Sequence, residues 1–507
     1  MTHDPILDAF DHLRRRRGTE PLVVSPSRRA TVGEVDALAD RLAGDLAERS
    51  GPRAGLAPGT PVAFAVCDGV AFLASFLAAR RRRLVPVLVD LRAPAPERDR
   101  VVRELGCRWL LTCDTPWPSG PGDWTLVAPD RIGPPADHPA LAPEVAAVKL
   151  SSGSTGRPRG IVTPSTALVA DDAALARTMG LVPEERILCA IPMSHSYGLA
   201  SVAMPALMRG SLVVLADPGS GPFGLFRAAR EAAATFLPTI PALLGALTHA
   251  ARPPELPDSL RLVITAGAPL PPETATRFRR IYGRPVHVFY GSSETGGICF
   301  DREGGAGERG TVGEPVEGVR VELEPVGGEA GTGGVGPAGS AEAGVVAVES
   351  PAVACGYWPE PHPRLSGGRF RSSDLAVWLE TEQAGGRSRE LALRGRTDDL
   401  VNVRGKKVNP REVEETLAGL PGVREVVAVG ADCAPRGETA LRVVVAGEAG
   451  RLSPAQVVAW CRARLAEHKV PRSVVLVDEI PRTARGKVDR RSLARLAAER
   501  AERSRSA

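Results

Sequence analysis

Residues 151–160 read Ser-Ser-Gly-Ser-Thr-Gly-Arg-Pro-Arg-Gly, with no bulky apolar side chain among them. Such a loop can turn backbone N–H groups, hydroxyls and full positive charge toward one point, which makes a concave anion site suited to phosphate. The preceding run 146–150, Ala-Ala-Val-Lys-Leu, reads as the buried strand that delivers it. A flexible Gly/Ser linker is the plain alternative, yet linkers seldom carry paired arginines directly after a buried strand. A Walker A loop is excluded, because Gly156 is followed by Arg157 and Pro158 rather than by Lys and Ser or Thr.

Two further stretches carry side chains that can do chemistry. Residues 286–297 read Val-His-Val-Phe-Tyr-Gly-Ser-Ser-Glu-Thr-Gly-Gly. A strand brings up Phe289 and Tyr290, and a glycine turn then exposes Ser292, Ser293 and Glu294. An aromatic face can stack on a base, a hydroxyl can reach a phosphate, and a carboxylate can hold a divalent cation against it. Near the end, residues 481–491 read Pro-Arg-Thr-Ala-Arg-Gly-Lys-Val-Asp-Arg-Arg and set Lys487 on a glycine turn. Of 64 basic residues only Lys149, Lys406, Lys407, Lys469 and Lys487 are lysine, so a lysine retained in a motif stands out against a strong arginine bias.

In this order and combination the strings closely resemble the signatures of the adenylate-forming (ANL) superfamily, which includes acyl-CoA synthetases, peptide-synthetase adenylation domains and luciferases. The resemblance runs over nearly the whole chain and is closest to the acyl- and aryl-CoA synthetases. It implies ATP, Mg²⁺ and CoA. The loop residues Ser151, Ser152, Gly153, Ser154, Thr155, Gly156 and Arg159 would hold the phosphates, with Arg159 where the family has Lys. A planar guanidinium there grips pyrophosphate differently from a compact ammonium. Glu294 and Thr155 would hold the metal, and Ser293 keeps the hydroxyl of the family's Thr. The turn Gly267, Ala268, Pro269 resembles the adenine-binding turn, beside Phe289 and Tyr290. Asp374 and Arg396 match ribose-binding positions, with Ser373 replacing a usual Gly in what is expected to be a turn. Asp398 matches the family's hinge, Arg404, Gly405 and Lys406 the loop used in thioester formation, and Lys487 the catalytic lysine.

For the acid, the resemblance implies a pocket at His195, Tyr197, Ala242, Gly267, Gly296 and Gly297. His195 reads equally as a satisfied buried histidine. Amino-acid-activating members place an Asp in the segment 193–198, and none is found here. An unpaired buried cation would be costly, so an uncharged acid is expected, and small apolar lining residues leave room for a bulky or long hydrophobic one.

The elements that must position these residues alternate. Thr31 and Glu34 form a capping box ahead of Val35, Leu38, Leu42 and Leu46 at helical spacing. Residues 62–66, 85–90, 109–112, 187–191 and 211–215 read as short buried strands, separated by a helical stretch ending at 79 and helices at 95–105, near 202–208 and near 225–234. Two α/β lobes in tandem follow, each with a mostly parallel sheet covered on both faces. From 313 to 357 short β-runs flank a Gly-rich stretch. Its Gly331-Thr-Gly-Gly-Val-Gly336 has no helix behind it and reads as a hairpin loop, not a dinucleotide site. Asn409 and Pro410 start a helix with Val413 and Leu417 inward and Gly419 at its end. The expected fold is therefore α/β: a large N-terminal domain (1–397) of two α/β-layered lobes plus a β-rich subdomain, then a small mobile α+β C-terminal domain (398–507).

Composition narrows the alternatives. At 507 residues more than one core is expected, and 43% hydrophobic with 24% charged residues is globular. A net charge of +5 is too modest to argue for nucleic acid. Eight cysteines without a Cys-x-x-Cys pair indicate neither a disulfide framework nor a zinc site and suit a reducing cytoplasm. The start does not read as a signal peptide, since no apolar stretch follows Arg14 to Arg17, and the apolar run 61–79 is broken by Asp68 and Gly69.

The expected chemistry is attack of a carboxylate on the α-phosphorus of ATP, giving acyl-AMP, then transfer to a thiol. CoA is the expected acceptor. A separate acyl-carrier protein is the alternative, served by the basic tail from Arg482 to Arg505. A nucleotide-binding homologue without catalysis is a third reading, and a luciferase-like oxygenase is remote. The oligomeric state, monomer or homodimer, is left open.

Overall fold

The computed structural model describes residues 3–49, 56–127, 138, 140–151, 158–220, 223–326, 343–383, 386–397, 401–403, 406–433, 438–447, 452–465, 467–482, 488–490 and 492–497. Its contacts divide the chain into two compact units. The first holds Met1–Glu322, Ala347–Ser372 and Trp378–Ala392; the second holds Leu323–Val346, Ser373–Val377 and Leu393–Ala507.

Two large sheets organise the first unit. Among the described residues one has seven strands, in the order Gly356–Trp358, Arg159–Pro164, Val145–Ser151, Val85–Leu88, Pro61–Val66, Trp109–Cys113, Thr125–Val127. Its four middle strands are parallel and its outer neighbours antiparallel. All six residues of Pro61–Val66 are buried, as expected for a parallel strand covered on both faces. The other sheet has nine strands, with a parallel interior from Pro21–Val24 to His287–Ser292 and antiparallel edges.

The helix Val70–Arg81 is buried at every position from Val70 to Arg80, so it is a core helix. Arg80, only 3% exposed, is tolerated there because its guanidinium pairs with Asp4 at 2.7 Å and donates to the carbonyls of Val145 and Pro143. The capping box at Thr31 and Glu34 forms as expected and starts the helix Val32–Arg49. Expected strands are shorter than their apolar runs: 187–191 becomes Arg186–Leu188, and 211–215 becomes Leu212–Val214. The helix expected at 202–208 begins with a π-type turn, Leu199–Ala203, before Met204–Arg209.

The β-rich part is a five-stranded sheet that includes Arg320–Glu324, Gly344–Glu349 and the long strand Arg369–Gln383. Here one expectation is corrected. Ser373 lies in the middle of that strand, buried, so the segment 370–375 is extended and has no tight turn that needs glycine. The Gly-rich loop at 331–336 lies outside the described residues.

In the second unit Val423–Cys433, Glu438–Gly447 and Ser473–Val477 form a sheet covered by Pro410–Ala418 and Pro454–Arg462. Asn409 caps the first of these helices by accepting from Arg411 N–H at 3.1 Å, and Val413 and Leu417 are buried beneath it. Gly419 follows it in a right-handed conformation, so glycine is not required there.

Candidate active site

Strand Val145–Ser151 runs into the loop expected to bind phosphate and Arg159–Pro164 follows it, paired antiparallel from Ser151↔Arg159 inward. Ser152, Gly153, Ser154, Thr155 and Gly156 lie outside the described residues, as does the side chain of Ser151. Arg159 is described, half-buried, with its Cζ 5.0 Å from the ring centroid of Tyr357. Tyr357 belongs to the edge strand Gly356–Trp358, which pairs with the strand leaving the loop (Tyr357↔Ile161, Trp358↔Gly160). Gly160 permits this approach: a Cβ there would meet the Val148 side chain at 2.6 Å and the Trp358 carbonyl at 3.2 Å.

The other half of the site comes from the turn after His287–Ser292. Glu294 N–H donates to Ser292 Oγ at 3.2 Å, and Ser292 Oγ lies 3.0 Å from Thr295 Oγ1, so a serine-anchored turn presents Glu294. The Tyr357 hydroxyl donates to Glu294 Oε1 at 2.8 Å, and Ala354 N–H donates to the Glu294 carbonyl at 2.8 Å. Arg159 and Glu294, far apart in sequence, thus meet through one tyrosine. Burial and the neighbouring carboxylate push the Tyr357 phenol up, so it stays a donor. Ser196 Oγ donates to Ser293 Oγ at 2.7 Å, which joins the segment 193–198 to the same turn.

Behind the turn lie two buried charged groups, electrostatically coupled, that sequence reasoning gave no role. Lys149, on the strand entering the loop, is 4% exposed, and Asp171, on the helix Ser165–Met179, is 6% exposed. Asp171 Oδ1 accepts from Gly297 N–H at 2.9 Å. Burial lowers the Lys149 ammonium, while Asp171 and Glu294 pull it back up. Burial pushes the Asp171 carboxyl up to about 6, against the Gly297 hydrogen bond and Lys149. Gly296 has φ +71°, and any side chain there would run into the Asp171 carboxylate. The signal was present: Leu168, Asp171, Asp172 and Leu175 share the inward face of one helix, where acidic residues need partners.

The remaining expected residues fall as follows. Tyr290 is half-exposed, whereas Phe289 is 6% exposed and packs on Tyr197 with ring centroids 5.8 Å apart. Successive strand residues face opposite sides, so Tyr290 is the accessible ring of the two. The Tyr197 hydroxyl accepts from Thr239 N–H at 3.2 Å and donates to the Ile264 carbonyl at 3.4 Å, so it fastens two strand ends. His195 Nε2 lies 3.4 Å from Asp90 Oδ2, and the adjacent Met193 N–H donates to Asp68 at 2.6 Å. Gly267, Ala268 and Pro269 are exposed, and Gly267 has φ +84° with open space beside it. Ala242 is exposed on the helix Pro241–His249, whose inward residues are Leu244, Leu247 and Thr248.

Within the second unit Asp374 and Arg396 lie together, 3.4 Å between Oδ1 and Nη1. Asp398, Arg404, Gly405 and Lys487 lie outside the described residues, and nothing is described of the Lys406 side chain. A magnesium ion suits the donors around Glu294. Among the described residues no group of three or more His, Cys, Asp or Glu forms an all-protein cage, and a lone carboxylate with hydroxyl neighbours is a usual setting for Mg²⁺ shared with phosphates.

Comparison with known proteins accords with this geometry. Residues 10–358 match the family model of the AMP-binding enzyme, and residues 412–487 that of the AMP-binding enzyme C-terminal domain. A feruloyl-CoA synthase of Amycolatopsis sp is 30% identical over 455 residues, 86% of this chain and 88% of that protein. A 3-hydroxybenzoate–CoA ligase of Aromatoleum sp. (strain CIB) is 27% identical, covering 93% of this chain and 92% of that one. Among solved structures, ATP-bound MatB from Rhodopseudomonas palustris superposes with a TM-score of 0.77 at 24% identity, over 98% of this chain and 99% of that one. On the motifs, the fold and these matches, the chain belongs to the AMP-binding family of adenylate-forming enzymes.

Proposed function

We propose that the chain is an acid–thiol ligase that joins a carboxylic acid to CoA at the expense of ATP, forming AMP and pyrophosphate. The observation that supports this is the meeting of Arg159 and Glu294 at Tyr357, the cation that would bind phosphate and the carboxylate that would bind the metal. A carboxylate is a poor electrophile, being negative and lacking a leaving group. In the first half-reaction its oxygen attacks the α-phosphorus of ATP, the bond to the bridging oxygen breaks, and pyrophosphate leaves. The acyl-AMP anhydride then accepts the sulfur of CoA, and AMP departs with the former carboxylate oxygen. Both steps depend on positioning and charge neutralisation.

The chain's own residues divide this work. Arg159 and the loop 151–156 would hold the leaving phosphates, Tyr290 would stack on adenine, and Asp374 with Arg396 would hold the ribose hydroxyls. Glu294 would hold Mg²⁺, which when bound supplies positive charge against the triphosphate. Lys487 would hold the α-phosphate and the substrate carboxylate. We further propose that residues 398–507 turn about Asp398 between the half-reactions, exchanging Lys487 for the loop Arg404, Gly405, Lys406.

For the acid we propose an uncharged, bulky or hydrophobic class, because Gly267 has open space beside it; the space beside Gly296 and Gly297 is already filled, by Asp171 and by Leu175 with Phe289. CoA is the proposed thiol; transfer to a carrier protein but not to CoA would instead assign the basic tail to that partner. We propose a cytoplasmic setting, as the scattered cysteines of the sequence suggest. Among the described residues no helix is long and apolar enough to cross a membrane.

Acid-dependent exchange of pyrophosphate into ATP, run over a broad carboxylate panel and followed by thioester analysis with CoA, tests the reading. Exchange with a subset of acids is expected. A folded, magnesium-supplied chain that supports no exchange with any of them refutes it.

A further inference from the structure

Arg159 and Glu294 carry opposite charges into one half-buried place. Opposite charges that close together in a site of reduced dielectric attract strongly. A direct pair would neutralise both groups needed for the triphosphate and its metal. Yet among the described residues no ion pair joins them. Tyr357 stands between: the Arg159 guanidinium lies over its ring at 5.0 Å, and its hydroxyl donates to Glu294 Oε1 at 2.8 Å. Each contact satisfies one charge, the first through the ring quadrupole and the second through a charge-assisted hydrogen bond.

The backbone around Tyr357 is fastened to both segments. Its strand pairs with the one leaving the phosphate loop, and Ala354, just before that strand, donates to the Glu294 carbonyl. The ring is 9% exposed, packed in a small cluster with Ile161, Val353, Leu365 and Phe370, and so has little freedom to swing aside.

We propose that Tyr357 is a positioning residue that keeps Arg159 and Glu294 apart in the nucleotide-free site, so that each remains free for MgATP. This rests on the proposed roles of Arg159 and Glu294. Without the hydroxyl, Glu294 turns to Arg159 and the pair must be broken each time the nucleotide binds.

The test is Tyr357→Phe, which keeps the ring and its packing. ATP binding is measured by calorimetry without acid while MgCl₂ is varied, alongside KM and kcat for acid-dependent exchange. The hydrogen bond to a charged acceptor sets the scale. MgATP affinity should fall about tenfold, KM should rise in parallel, and kcat at saturation should stay within about twofold. In an Arg159→Gln background the Tyr357→Phe penalty should vanish, because the cation that Tyr357 holds off from Glu294 is gone. Tyr282→Phe, a buried hydroxyl in the core around Phe278, should change nothing. Unaltered MgATP affinity in Tyr357→Phe overturns the proposal, as does a penalty that persists in full without Arg159 or appears equally in Tyr282→Phe. These outcomes leave the ligase reading standing, whereas a wild-type chain that binds no MgATP removes both.

Discussion

Replacing Lys149 by methionine should destabilise the first unit by about 3 kcal/mol at pH 8 and by about 1 kcal/mol or less at pH 5. The magnitude follows from Asp171, whose carboxyl is raised from 3.8 to about 6. That gap corresponds to roughly 3 kcal/mol favouring the protonated acid in the fold. Because the folded value is the higher one, this contribution to stability is fully present below pH 3.8 and is lost as the pH rises through about 6. Lys149 limits the loss by attracting the ionised carboxylate. Removing one partner of a buried pair costs about 3–5 kcal/mol, and relief of the buried ammonium's own desolvation draws the figure to the lower end. At pH 5 Asp171 holds its proton, the missing cation is no longer needed, and the variant approaches wild type. Urea unfolding at pH 5, 6, 7 and 8 measures this, following the transition of the unit that contains both residues. A loss that is equal at every pH would refute the assignment of Lys149 as the counter-charge of Asp171. Lys149→Met with Asp171→Asn should recover most of the pH 8 deficit, since neither charge is then buried.

Other substitutions probe the chemistry itself. Lys487→Ala should depress adenylate formation by ~10²–10⁴-fold, the scale for loss of a key transition-state charge, while thiolation of preformed acyl-adenylate proceeds near the normal rate. Equal losses in both half-reactions would contradict the proposed domain rotation. Gly405→Leu should do the reverse, slowing thiolation and sparing pyrophosphate exchange. Gly296→Ala places a side chain at φ +71° against the Asp171 carboxylate, so a raised KM for the acid and a stability loss of about 2 kcal/mol are expected from exchange kinetics and unfolding.

Local pattern was the most legible part of the sequence. The capping box at Thr31, the core helix after Gly69 and the Asn409–Pro410 helix start each rest on neighbouring residues, and each forms as expected. The chemistry-bearing strings were enough to place the chain in its family, because a protein that handles a nucleotide is restricted in which side chains can serve. What escaped was long-range. Tyr357 meets Glu294 across 63 positions, and Asp171 meets Gly297 across 126, distances that no window of sequence spans. Ser373 was misplaced for a different reason: a short polar pair reads as a turn when seen alone, although the flanking apolar residues extend it into a long strand. Strand alternation at Phe289 and Tyr290 would have shown in advance that only one of the two rings can face a nucleotide.

The edge strand at Gly356–Trp358 also bears on how the protein comes into being. It closes the outer flank of the strand leaving the phosphate loop, yet it is encoded almost two hundred positions later. A nascent chain that has emerged only as far as the Glu294 turn therefore exposes a row of unpaired backbone donors and acceptors beside the loop, open to pairing with another molecule. Nucleotide capture is then a late competence that cannot precede the emergence of Trp358, and the stretch before that is when a chaperone has most to shield.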